Sequence, residues 1–118
     1  MAFTHRRACK TIRELALSLP EAYEDAPWGF PVFKVADNRL FAMLVENDPV
    51  ELTVELATEE REIAYLHPWV RRASYVGRYG WITATIEDAE ALETALEWLR
   101  ESYYLKAPAK LRDAAFVE

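Results

Sequence analysis

A chain of 118 residues, 52% hydrophobic and 29% charged, is one domain over residues 1–118 with enough apolar mass for a single core. Its 20 acidic residues outnumber 14 basic ones, and the net charge of −6 excludes indiscriminate binding of nucleic acid over the whole surface. No apolar run is long enough to cross a bilayer, the N-terminal segment lacks the apolar core of a secretory signal, and the single cysteine, Cys9, forms no intrachain disulfide, so a cytoplasmic protein off the membrane is expected.

Thr4 is placed to cap a first helix, because Ala8, Ile12, Leu15, Ala16 and Leu19 then share one face at spacings of three and four. Pro20 ends it, since the residue before a proline is driven out of the helical region. The segment EAYEDAPWGFP (21–31), with two prolines, one glycine and three aromatics, predicts a packed loop. Three strands follow. VFKV (32–35) is short, and Leu40–Val45 is a near-continuous apolar run that predicts a central strand covered on both faces. Val50–Leu56 alternates, with Leu52, Val54 and Leu56 on one side and Glu51, Thr53 and Glu55 on the other. The connections are too short for a crossover, so the three strands form an antiparallel meander.

Thr58 is the expected cap of a short helix with Glu59 and Glu60 in its first turn, limited by Pro68. Trp69–Gly80 reads as loop or irregular strand, with turns at Gly77 and Gly80. Trp81–Ile86 is a further strand with Ile82, Ala84 and Ile86 on one face. Asp88 starts a long helix on Ala89, Leu92, Ala95, Leu96, Leu99 and Tyr103; Pro108 interrupts it, and Ala109–Phe116 is a last short helix. Leu15, Leu44, Val54, Ile82, Leu92 and Leu96 are expected to be buried. The order predicts an α+β fold, an antiparallel sheet with helices packed on one face.

Charge is distributed in blocks. Arg6, Arg7, Lys10 and Arg13 open the chain without an acid, residues 63–86 hold Arg71, Arg72 and Arg78 without an acid, and residues 102–112 hold Lys106, Lys110 and Arg112 without an acid. Acidic segments separate them. Tyr65, Trp69, Tyr75, Tyr79 and Trp81 are interleaved with the central arginines. Arginine among aromatics is a composition that holds phosphates and stacks on bases; it also suits a half-buried sheet with a charged rim. The basic segments make one patch only if they meet in space.

Catalytic chemistry is thinly represented. A nucleophile role for Cys9, with His5 or His67 as base, competes with packing beside Ala8, and packing is expected. His67, before Pro68 at a helix end, reads as structural. Two histidines and one cysteine without close spacing make no zinc or transition-metal site. Glu90, Glu93, Glu97 and Glu101 share one helix face and read as solvated rather than as iron or calcium ligands. Three glycines form neither a phosphate loop nor a nucleophile elbow. No catalytic residue, metal or cofactor is therefore expected, and the chain does not read as an enzyme. Trp28, Phe30, Phe33, Trp81 and Trp98 are expected in the core. For Trp69, Tyr75 and Tyr79, core and ligand-contact readings both stand.

LPEAYEDAPWGFPVFKVADNRLFAML (19–44) resembles the signature of the MmcQ/YjbR family: a leucine-proline ending the first helix, a tryptophan-glycine, a phenylalanine-lysine-valine strand and a phenylalanine-alanine strand. LTVEL (52–56) before a Glu-rich helix, the strand led by Trp81, and a closing helix containing Ser102-Tyr103 extend the resemblance over roughly residues 4–112. The resemblance implies a CyaY-like fold and a DNA-binding role through a double-wing arrangement of hairpins. This chain departs from frataxin-type proteins of the same fold, which carry an acidic ridge where Arg6, Arg7, Lys10 and Arg13 stand here. That departure speaks against iron. The absence of a heavy basic excess makes any DNA affinity modest.

Two binding roles follow. In the first, Arg71, Arg72 and Arg78, helped by Arg6, Arg7, Lys10 and Lys110, meet DNA phosphates, with Tyr75 and Tyr79 as stacking surfaces; such contacts position without specifying sequence. In the second, a monomeric module takes a protein or small molecule, and the loop Pro27–Pro31 forms one wall of an apolar pocket. A continuous basic face favours the first. A curved apolar pocket with buried polar groups favours the second.

Overall fold

Thr4 begins the first helix, α1 (His5–Ser18), by leaving the helical region and accepting a hydrogen bond at Oγ1 from the Arg7 N–H, 3.1 Å away. A computed structural model describes residues 2–115. The helix stops ahead of Pro20 and buries Ala8, Cys9, Ile12 and Ala16. Leu15, expected in the core, is half-buried: the buried stripe runs along Ala8, Ile12 and Ala16, which turns Leu15 onto its flank.

Six antiparallel strands follow: β1 (Ala22–Asp25), β2 (Val32–Val35), β3 (Arg39–Val45), β4 (Val50–Glu55), β5 (Val70–Arg72) and β6 (Trp81–Ile86). Their order across the sheet is β1-β2-β3-β4-β6-β5. The meander β2-β3-β4 is as expected. Strand β1 lies within the segment expected to be loop, and β5 within one read as loop or irregular strand. Both are edge strands. An edge strand draws its ladder from one neighbour and needs no alternating apolar pattern, so short polar stretches such as AYED and VRR form one without announcing it.

Ala42 and Leu44 of β3, Leu52 and Val54 of β4, and Ile82, Ala84 and Ile86 of β6 form one buried face. Helices α1 and α3 (Ala89–Lys106) cover it. On the other face Met43 and Val45 are only half-buried, so β3 is not covered on both sides as its composition suggests. The apolar run has a second cause. Phe33 pairs with Ala42 but Lys34 pairs with Leu40, which leaves Phe41 as the extra residue of a bulge. The bulge turns Phe41 into the core, where its ring meets Tyr103 edge-on at 5.4 Å.

Asp88 caps α3, its Oδ1 accepting from the Ala91 N–H at 2.8 Å. The helix buries Ala91, Ala95, Trp98, Leu99, Ser102 and Tyr103, while Leu92 and Leu96, expected inside, are half-buried. Ala91 and Ala95 are small enough to bring the backbone onto the sheet, and the two leucines then flank the contact. Ser102 Oγ donates to the Phe41 carbonyl at 2.6 Å and accepts from the Glu55 N–H at 3.0 Å, replacing ladder bonds beside the bulge. The Tyr103 hydroxyl donates to the Pro20 carbonyl at 2.7 Å. Burial, and then Glu21, push its pKa above the usual tyrosine value.

The short helix α2 (Thr58–Ala64) is preceded by Ala57 at the cap position, and Thr58 Oγ1 instead accepts from Arg61 Nη2 at 2.9 Å. The last helix, α4 (Ala109–Ala115), is anchored by Leu111, and Phe116 lies outside the described residues. Among the described residues no helix is long and apolar enough to cross a membrane.

Candidate ligand-binding site

The open face of the sheet carries a trough of about 410 Å³. Its floor follows from the alternation of the strands. Residues Met43 and Val45 of β3, Glu51 and Thr53 of β4, and Thr83 of β6 point away from the helices. Thr53 and Thr83 are register partners, and their hydroxyl oxygens are 2.8 Å apart.

Two loops wall the trough. One contains Trp28 and Phe30, whose rings lie 6.1 Å apart around Gly29. Gly29 has φ +88°, where a residue with a Cβ is strained, so the Trp-Gly-Phe turn presents both rings on the open side. The other wall is Ala73–Val76. It is pinned at its base: the Ala73 N–H donates to the Trp81 carbonyl at 3.2 Å, and the Gly77 N–H to the Ala73 carbonyl at 3.0 Å. A Cβ on Gly77 would collide with the Arg72 side chain, so glycine lets that arginine lie across the turn. Tyr75 at the tip has φ +64°, unfavourable for a bulky residue, and its side chain is 96% exposed.

Trp28 is 62% exposed and Phe30 half-buried, contrary to the expectation that both fill the core. Phe33, Trp81 and Trp98 are buried as expected. Trp69 is half-buried, stacked with His67 at 4.7 Å and Trp98 at 5.4 Å. His67 thus packs among rings, in keeping with a structural role.

The cations of the DNA reading fall on several elements. Arg71 alone of the three central arginines lines the trough. Its Nη1 is 2.8 Å from Glu51 Oε2 and donates to Thr85 Oγ1 at 3.2 Å. Arg72 alternates to the opposite side of β5, and Arg78 lies over the exposed Tyr79 ring at 4.8 Å. Arg6, Arg7 and Lys10 are exposed on α1, in the helix layer behind the sheet. Lys110 is exposed on α4, beyond the end of α3. Arg71 and the α1 cations thus lie on opposite faces of the sheet, while Lys106 of the third basic segment lies over the Trp81 ring at 5.7 Å.

On α1, Arg13 is held by Glu24 at 2.9 Å and Glu46 at 3.0 Å, and the hydrogen bonds it donates to Glu46 and then Glu24 keep the guanidinium protonated well beyond its ordinary range. Cys9 and His5 border a shared cleft of about 440 Å³ with Arg6, Lys10 and Arg13. The thiol is buried, and burial followed by Glu46 pushes its pKa up, away from the thiolate form that a nucleophile needs. Among the described residues no group of three or more metal-binding side chains comes together.

The sequence model of the YjbR family matches residues 17–105. The chain belongs to the YjbR family. The matched YjbR region contains every residue of the trough, whereas Arg6, Arg7, Lys10 and Lys110 lie outside it. The crystal structure of the Deinococcus radiodurans protein DR2400, described by a DUF419 domain, is similar with a TM-score of 0.70 and 26% identity, over 82% of this chain and 76% of that one. No curated protein matches this YjbR chain.

The floor of the trough was half visible in the sequence. Alternation put Glu51 and Thr53 on the non-core side, and the Pro27–Pro31 loop was readable as a pocket wall. Nothing local showed that β6 would bring Thr83 beside Thr53, or that β5 would carry Arg71 to Glu51.

Proposed function

We propose that this YjbR-family chain is a non-catalytic binding module whose ligand seats in the trough between the Trp28–Phe30 turn and the Ala73–Val76 loop. The observation that carries this reading is the exposure of Trp28 and Tyr75 on the two walls of a concave site whose floor sets Glu51, Thr53 and Thr83 beside the apolar Met43 and Val45. Exposed aromatic anchors around a few fixed polar groups are what a binding site needs. The buried, protonated Cys9 supports binding over nucleophilic catalysis. The test is calorimetric titration with 2-naphthamide, an uncharged planar compound. Binding with a dissociation constant on the order of a millimolar or tighter is expected, weakened about tenfold in Trp28→Ala, since an aromatic anchor is worth roughly 1–2 kcal/mol. Absence of binding, or equal binding by Trp28→Ala, contradicts the reading.

A second reading is DNA contact by the loop after β5. Arg72 and Arg78 have no carboxylate within ion-pair distance among the described residues, and Tyr75 and Tyr79 are exposed beside them. It requires weak, salt-sensitive binding to duplex DNA that is lost in the double variant Arg72→Ala, Arg78→Ala.

A further inference from the structure

The trough has a polarity that narrows its ligand. Its walls supply rings: Trp28 and Phe30 on one side, Tyr75 on the other. Its β5 side supplies a cation, Arg71, which also borders a neighbouring cleft with Thr85 and Glu87. Arg71 uses Nη1 for both of its polar contacts, to Glu51 and to Thr85, and neither Nε nor Nη2 donates to any described residue. A guanidinium has five N–H donors in a fixed fork, and a carboxylate fits such a fork with two parallel bonds. Glu51 sits lower in the floor, with its side chain 28% exposed against 53% for Arg71, so the arginine is the more accessible charge. Thr53 and Thr83 add hydroxyls that donate or accept.

Resting on the binding-module reading, we propose that the trough takes a small planar aromatic acid, with its ring between Trp28 and Tyr75 and its carboxylate on the free edge of Arg71. The volume of about 410 Å³ suits a ligand of two fused rings with one substituent. Glu51 moderates the site, because it competes with the ligand's carboxylate for the same guanidinium and adds like-charge repulsion.

The experiment compares 2-naphthoate with 2-naphthamide on the full chain by calorimetry, at low salt. The pair shares its ring and differs in charge. The acid is expected to bind about tenfold tighter than the amide, the size of one charge-assisted hydrogen-bonded contact. Arg71→Gln should abolish the difference by weakening the acid about tenfold more than the amide, with a cooperative urea transition showing that the variant is folded. Glu51→Gln should tighten acid binding severalfold without changing the amide. An arginine with a purely structural role would produce neither selective effect. If acid and amide bind equally to the parent, or if Arg71→Gln weakens both alike, the aromatic-acid proposal is overturned while the binding module stands. If neither compound binds, both fall.

Discussion

Arg71 reaches across β6 to set its Nη1 2.8 Å from Glu51 Oε2, so one arginine of the acid-free segment is partnered by a carboxylate two strands away. The segment is acid-free along the chain but not in space. That pairing changes what the segment can do. A guanidinium already sharing its charge with a carboxylate attracts a polyanion weakly at long range, yet keeps directional donors for a small group placed against it. The ion pair is partly exposed, so Arg71→Ala is expected to change stability by less than about 1 kcal/mol in a urea titration. A larger loss would assign Arg71 to the scaffold rather than to the trough.

Tyr75 should show opposite effects on stability and binding. Its left-handed backbone costs roughly 1 kcal/mol relative to glycine, and its exposed ring gains little from the rest of the fold. Tyr75→Gly is expected to leave the protein as stable as the parent or up to about 1 kcal/mol more stable, while weakening 2-naphthamide binding about tenfold. A destabilised variant with unchanged binding would show that the tyrosine serves the fold.

Ser102 should be costly to remove although it is small. Its hydroxyl satisfies the Phe41 carbonyl and the Glu55 N–H in a buried place where the bulge interrupts the ladder. Ser102→Ala strands both groups and is expected to cost about 1–3 kcal/mol by chemical denaturation. A loss below a few tenths would mean that the two strands close over the gap by themselves.

Helix α3 ranks its leucines. Leu99 is fully buried against the sheet, so Leu99→Ala should cost about 2–5 kcal/mol. Leu96, on the flank, should cost distinctly less. Equal losses would place the helix in a different rotation from the one described.

Alkaline stability should depend on Tyr103. Its pKa is raised on folding by burial, so its contribution is complete below the unfolded value near 10 and is lost as pH rises through the folded value. Melting temperature should therefore fall above about pH 10. Tyr103→Phe should lower it at neutral pH, by loss of the bond to Pro20, and flatten the alkaline fall. An unchanged alkaline slope would point to Cys9, whose pKa is also raised by burial.

Much of the scaffold was legible because its signals are local. Thr4 and Asp88 cap their helices as their types suggest, and alternation in Val50–Glu55 assigned each residue to the correct face. On α3 the expected face held for Ala95, Leu99 and Tyr103, but Leu92 and Leu96 stand on its flank and Ala91 takes the inside: a hydrophobicity pattern weights leucine over alanine, while close helix–sheet packing selects for small size. Trp28 was misplaced for a related reason. A large apolar ring is assigned inward on transfer energy alone, and only the Gly29 turn, closed in three dimensions over Met43 and Val45, shows that it forms a wall. The trough itself joins residues from β3, β4, β5, β6 and two loops, and no periodicity along the chain encodes such a meeting.

The most direct test of the ligand trough is a ¹⁵N–¹H correlation spectrum of the full chain titrated with 2-naphthamide and, separately, with a short DNA duplex at low salt. The naphthyl compound is expected to shift the Trp28 indole N–H and the amides of Ser74, Tyr75, Val76 and Thr83, and to leave Arg6, Arg7 and Lys10 on α1 unmoved. Shifts from the duplex alone, centred on Arg72, Arg78 and α1 with the Trp28 indole undisturbed, would contradict this expectation.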